Sequence, residues 1–186
     1  QVGLRWLSMH RSLFVFIIIT LLLIPTLIIS NAIYYKKVTT IASVSQQPIV
    51  PERPPNASYI SSFSVSPTGV NIDVSLNSSQ ITYVNNQGVA NIKLMELKVL
   101  EEGKIMFKLN TPGYVNVTMM IYSSNGSLIG VYPNNGAITL SPGDYLIIEE
   151  VSFPSNINSF GIGGNYIFVI NGVWLIYSIN ESIEIK

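Results

Sequence analysis

Between Leu13 and Ile29 the chain reads LFVFIIITLLLIPTLII, seventeen residues without a charge, and every Asp and Glu lies beyond residue 50. A helix apolar on every face suits lipid better than a soluble core, whose helices carry polar residues on some side. At 1.5 Å per residue the run spans about 26 Å, and continuation through Ser30, Ala32, Ile33, Tyr34 and Tyr35 brings it to roughly the 30 Å of a hydrocarbon core. Contact with a lipid bilayer is therefore expected through residues 13–35. Tyr34 and Tyr35 form an interfacial aromatic pair ahead of Lys36 and Lys37, while Arg5, His10 and Arg11 flank the other end. Pro25 removes one helical hydrogen bond and introduces a kink, which membrane helices tolerate.

The flanking charges nearly balance, so orientation is read from the remainder of the chain. Beyond Lys37 stand six Lys or Arg against ten Asp or Glu. This polar, net acidic portion is expected outside the membrane. A second reading of the apolar segment is a secretory signal cut after Ser30, Asn31 and Ala32, which would start the mature chain near Ile33. The apolar run exceeds the 7 to 15 residues usual for a signal, which favours a retained anchor over residues 1–37.

From Thr39 to Ser58 the chain reads TTIASVSQQPIVPERPPNAS. Pro48, Pro51, Pro54 and Pro55 oppose helix and favour extended backbone, so residues 38–58 read as a semi-rigid stalk. An alternative is that Val38 to Val44 adds as a donor strand to a neighbouring subunit.

Beyond Tyr59 the pattern turns to period two. SFSVS (62–66), VNIDVSL (70–76), ANIKLMELKVL (90–100), KIMFKL (104–109), YVNVTMMIYS (114–123), YLIIEEV (145–151), YIFVI (166–170) and VWLIYS (173–178) are short and rich in Val, Ile, Tyr and Phe. ANIKLMELKVL also fits a helix, and its Lys93 and Lys98 alternation favours strand. Asn125-Gly126 and Asn171-Gly172 each read as a type I′ hairpin turn, with positive φ at both central residues. Glu101-Glu102-Gly103 and Pro142-Gly143-Asp144 mark further corners. Short strands at regular spacing without crossover helices predict an all-β fold, an antiparallel immunoglobulin-like β-sandwich over residues 59–186 preceded by one transmembrane helix. A fragment beginning near Pro55 is expected to fold alone into β-structure.

The run VNVTMMIYSSNGSLIGVYPNNGAITLSPGDYLIIEE (115–150) resembles the strand, hairpin, strand and Pro-Gly-Asp-Tyr pattern of immunoglobulin-like surface modules. The layout of anchor plus β-domain resembles envelope proteins of thermoacidophilic archaea, which implies display at a cell surface. Five sequons fit an exported domain and make Asn56, Asn77, Asn116, Asn125 and Asn180 candidate carriers of N-linked glycans.

Candidate chemistry is sparse. There is no Cys, so disulfides, thiolate metal sites and thiol nucleophiles are excluded. His10 is the one histidine and precedes the apolar run, which leaves the β-region without a Ser-His-Asp triad or a His-ligated metal. No basic stripe suits nucleic acid. Gly161-Ile162-Gly163-Gly164 lacks the Lys and the following helix of a phosphate loop and reads as a flexible turn. Glu149 and Glu150 raise a glycosidase couple with Asp144 or Glu181, but adjacent strand residues face opposite sides, and structural or solvated roles are favoured for all four. Tyr166, Phe168, Trp174 and Tyr177 suit a sugar-stacking platform or an interface anchor; the YIFVI and VWLIYS hairpin, Trp174 and Ile176 included, is expected to fill the core.

No catalytic, metal or cofactor site is expected. The reading is a non-enzymatic, single-pass, membrane-anchored envelope protein whose glycosylated β-sandwich contacts other proteins, including copies of itself, in a filament, surface layer or virion coat. One alternative is an accessory small subunit of a membrane-bound enzyme complex such as a quinone-linked oxidoreductase. Another is a secreted soluble binding module released by cleavage near Ala32.

Overall fold

Period-two alternation beyond Ile60 becomes two packed sheets. The computed structural model describes residues 47–186; the expected membrane segment at 13–35 and the donor segment at 38–44 lie outside them. The strands in chain order are β1 (Ile49–Glu52), β2 (Ile60–Ser66), β3 (Gly69–Leu76), β4 (Thr82–Val84), β5 (Gln87–Val99), β6 (Gly103–Asn110), β7 (Asn116–Ser123), β8 (Leu128–Tyr132), β9 (Ile138–Leu140), β10 (Gly143–Pro154), β11 (Ser159–Ile170) and β12 (Val173–Ile185). One sheet runs β1-β5-β10-β7-β8, with β4 also on β5, and the other runs β2-β3-β12-β11-β6-β9. Among the described residues no helix is long and apolar enough to cross a membrane.

The all-β expectation holds, with one difference in topology. Most pairings are antiparallel, but β3 and β12 run parallel, from Gly69 beside Ser178 to Leu76 beside Ile185. Parallel neighbours need a long connection, here everything from β4 to β11. The first sheet also begins earlier than the Pro-rich composition suggests. Ile49 and Pro51 are buried, and β1 pairs with β5 from Ile49 beside Val99 to Glu52 beside Glu96. Pro51 is tolerated because β1 is an edge strand, where one amide can be absent from the ladder.

ANIKLMELKVL is strand, inside β5, and its irregular alternation has a cause. Ile147 pairs with Met95 and Ile148 with Lys93, which leaves Leu94 as an extra residue. The β-bulge turns both Leu94 and Met95 inward and resets the phase afterwards. The Tyr59 hydroxyl accepts the Lys93 amide proton at 2.6 Å beside this bulge.

Of the two Asn-Gly hairpins, Asn171-Gly172 has positive φ at both residues, 49° and 76°, as a type I′ turn requires. At Asn125-Gly126 only Gly126 is positive, at 82°. The Gly126 amide bonds to the Ser123 carbonyl and the register shifts at Ile121 and Tyr122, as in a type I turn closed by a left-handed glycine bulge. The Asn125 side chain accepts the Ser127 amide at 2.9 Å, which holds Asn125 out of the left-handed region. Asn85 and Asn86, with φ of 51° and 63°, form a further tight turn between β4 and β5.

Where β3 meets β12, Gly69 lies against the backbone of Ser178, and a methyl group there would collide with the Ser178 nitrogen and carbonyl. Gly69→Ala is expected to destabilise the domain by about 1–3 kcal/mol, the range for overpacking against atoms that cannot rotate away. Chemical denaturation checks this, and an unchanged midpoint would show that the parallel pair absorbs the methyl.

Candidate functional site

The interior of the sandwich is largely apolar, but it holds two carboxyl groups. Along β10, Ile147, Glu149 and Val151 share the inward face, and along β12, Ile179, Glu181 and Ile183 do the same. Phase alone therefore drives both glutamates into the core. Glu149 is 0% exposed and Glu181 is 5% exposed, and they are the buried charged residues among those described. They come from different sheets and meet across the interior.

The cross-strand partners of Glu149 are Ile92 and Met119, and those of Glu181 are Ile162 and Ile72. Among the described residues none of the four carboxyl oxygens has a hydrogen-bond partner, yet the groups are close enough for each to bear on the other's ionisation. Loss of solvation pushes the Glu149 carboxyl up from 4.5 to about 7. Loss of solvation, then the neighbouring Glu149, drives Glu181 well above the usual carboxylate range. At acidic pH both carboxyls are protonated and the pair is neutral; loss of a proton places charge in an apolar interior.

Both carboxyls are buried without access for a substrate, so they do not form the glycosidase couple that the acid residues raise. Glu150 points outward, away from Glu149, and Asp144 lies on the outer surface of the first sheet. A third buried polar group, the Tyr166 hydroxyl, has no hydrogen-bond partner among the described residues. Its ring stacks on Tyr177 at 4.9 Å, and burial raises both phenols.

Two surface regions are more open. On the outer face of the second sheet, Trp174 and Ile176 are 61% and 60% exposed. This corrects the expectation that they fill the core. Tyr166, Phe168 and Tyr177 are buried, but the type I′ turn pairs Val169 with Trp174 and Ile167 with Ile176, so these four side chains share the opposite face. Met106 lies beside Ile167, extending the apolar patch, and Lys104 and Lys108 stand beside Val169 and Asn165.

On the outer face of the first sheet a groove of about 580 Å³ has Leu146 and Tyr122 in its lining and carries Glu52, Glu96, Asp144 and Lys98. The glycine-rich segment 161–164, expected as a flexible turn, is part of β11. Gly164 has φ of 153° and packs against the Lys108 backbone, where a side chain would not fit. Gly164 thus permits the close approach of β6 and β11.

All five sequon asparagines are exposed: Asn56 in a left-handed turn, Asn77 before the 3-10 turn, Asn116 at the start of β7, Asn125 in the β7–β8 turn and Asn180 on β12. The Asn180 amide donates to the Asn71 side chain at 3.1 Å.

No family model and no curated protein sequence matches the chain. Among solved structures, the N-terminal domain of PorA is similar, at 9% identity over 74% of this chain and 97% of that one, with a TM-score of 0.45. The ASH/PapD-like domain 7 of human CEP192 is similar at 10% identity over 77% and 96%, with a TM-score of 0.37. The collagen-binding domain of a Staphylococcus aureus adhesin is similar at 11% identity over 76% and 99%, with a TM-score of 0.29. With such scores, the assignment to the all-β, sandwich-like class rests on this chain's own strand pairing and shared core.

Proposed function

We propose that the chain is a non-enzymatic protein-contact module, held at a membrane by residues 13–35 and displayed outside it on a surface assembly. The observation that carries this reading is the patch of Trp174, Ile176, Ile167, Val169 and Met106 on the outer face of the second sheet. Large apolar side chains gathered on a solvated sheet face cost free energy unless a partner covers them. Tryptophan is also the residue type most enriched among side chains that dominate binding energy.

The five exposed sequon asparagines support display outside the cell, where glycans would attach at the surface and not in the core. The test is a double substitution, Trp174→Ser with Ile176→Ser, in the full chain. Because both side chains are mostly solvated, thermal unfolding is expected to move by no more than a few degrees. Incorporation into the native surface assembly is expected to fall by tenfold or more, read by fractionation of the envelope. Normal incorporation of the variant would reject this face as the contact.

A further inference from the structure

The apolar patch and the groove lie on the outer faces of opposite sheets, and they are complementary in charge. Trp174 and Ile176 are mostly exposed on the patch, and its flanking charges are Lys104 and Lys108. The groove is concave and carries three carboxylates, Glu52, Glu96 and Asp144, against the single ammonium of Lys98. Among the described residues the one ion pair is Lys186 with Glu184 at 3.5 Å, so the carboxylates of the groove and the amines of the patch are not engaged within the domain.

Building on the contact role given to the Trp174 face, we propose that its partner is a second copy of this chain, with the patch of one copy seated in the groove of the next. Trp174 and Ile176 would meet Leu146 and Tyr122, while Lys104 and Lys108 approach Glu52 and Glu96. The two surfaces differ, so the contact is heterologous. Each added copy leaves one patch and one groove unfilled, and the assembly grows as a filament or closes as a ring. An isologous pair, patch on patch, would instead bring four lysines together around the tryptophans.

Charge reversal separates these arrangements. The patch variant carries Lys104→Glu and Lys108→Glu, and the groove variant carries Glu52→Lys and Glu96→Lys, each in the full chain in mild detergent. Every substituted side chain is at least partly solvated, and circular dichroism verifies that the fold is kept. Either variant alone presents like charges on both surfaces, and its self-association by sedimentation is expected to weaken at least tenfold. Mixed in equal amounts, the two are complementary at both contacts, and assembly is expected to return to within about threefold of the native chain. Added salt is expected to weaken native assembly.

A groove variant that associates like the native chain, or a mixture that does not recover, would overturn the head-to-tail contact. A native chain that stays monomeric yet enters the envelope through Trp174 would overturn self-assembly while leaving the protein-contact reading in place. If it stays monomeric and the Trp174 and Ile176 substitutions leave envelope incorporation unchanged, both fail.

Discussion

Unfolding measured from about pH 4 to about pH 8 is expected to show the domain losing stability as the solution becomes less acidic. Glu149 and Glu181 both ionise at higher pH in the folded chain than in the unfolded one. Below their unfolded value of 4.5 both are protonated in either state and contribute no pH dependence. As pH rises above that value the unfolded chain releases protons that the folded chain retains, and the equilibrium moves towards unfolding. The penalty accumulates until the folded carboxyls ionise too, near 7 for Glu149. Both carboxyls act in the same direction, and together they are expected to cost on the order of a few kcal/mol, a large share of the 5–15 kcal/mol that holds an ordinary domain together.

The cross-strand and same-face neighbours of the two carboxyls are apolar. Beside Glu149 stand Ile92, Met119, Ile147 and Val151, and beside Glu181 stand Ile72, Ile162, Ile179 and Ile183. The double variant Glu149→Gln with Glu181→Gln is therefore expected to flatten the profile and to be more stable than the native domain near neutral pH. Denaturant titrations at three pH values suffice. A native midpoint that stays constant or climbs over this interval would show that the glutamates ionise without hindrance. The domain is therefore expected to be more stable in acidic than in neutral solution.

The second large effect concerns where the domain begins. A fragment starting at Gln47 is expected to fold cooperatively, whereas one starting at Pro55, which the Pro-rich composition recommends as a boundary, lacks β1. Its loss removes the fully buried Ile49, the buried Pro51 and the ladder along β5, and it opens the Leu100 amide, which bonds to the Pro48 carbonyl at 2.8 Å. Losing an Ile-sized core side chain costs about 2–5 kcal/mol before the strand hydrogen bonds are counted. The uncovered edge of β5 also invites intermolecular pairing. Denaturant midpoints and light scattering on the two fragments provide the comparison; equal midpoints would mean that β1 is dispensable.

The longer alternating segments are readable because burial on one face imposes period two whatever the topology. β1 is hidden because four prolines mark extended chain without saying whether it is paired, and β4 and β9 are three residues each, too short for a period to register. The parallel β3–β12 pair joins segments about a hundred residues apart, a relation that no local pattern carries.

The sites divide in the same way. The phase of Ile147-Glu149-Val151 and Ile179-Glu181-Ile183 already directs both acids inward, but the meeting of the two across the sheets depends on long-range order. The position of Trp174 is contained in the two-residue Asn171-Gly172 turn, which fixes Val169 opposite Trp174 and so separates Trp174 from Phe168. Residue type suggests core; register decides otherwise.

In the second sheet β12 sits between β3 and β11, so the strand nearest the end of the sequence is the one that unites two otherwise separate pieces. A chain folding as it is synthesised holds the β2–β3 hairpin and the β6, β9 and β11 group as unfinished halves until β12 emerges. The second sheet therefore closes late, through one strand on which both halves depend.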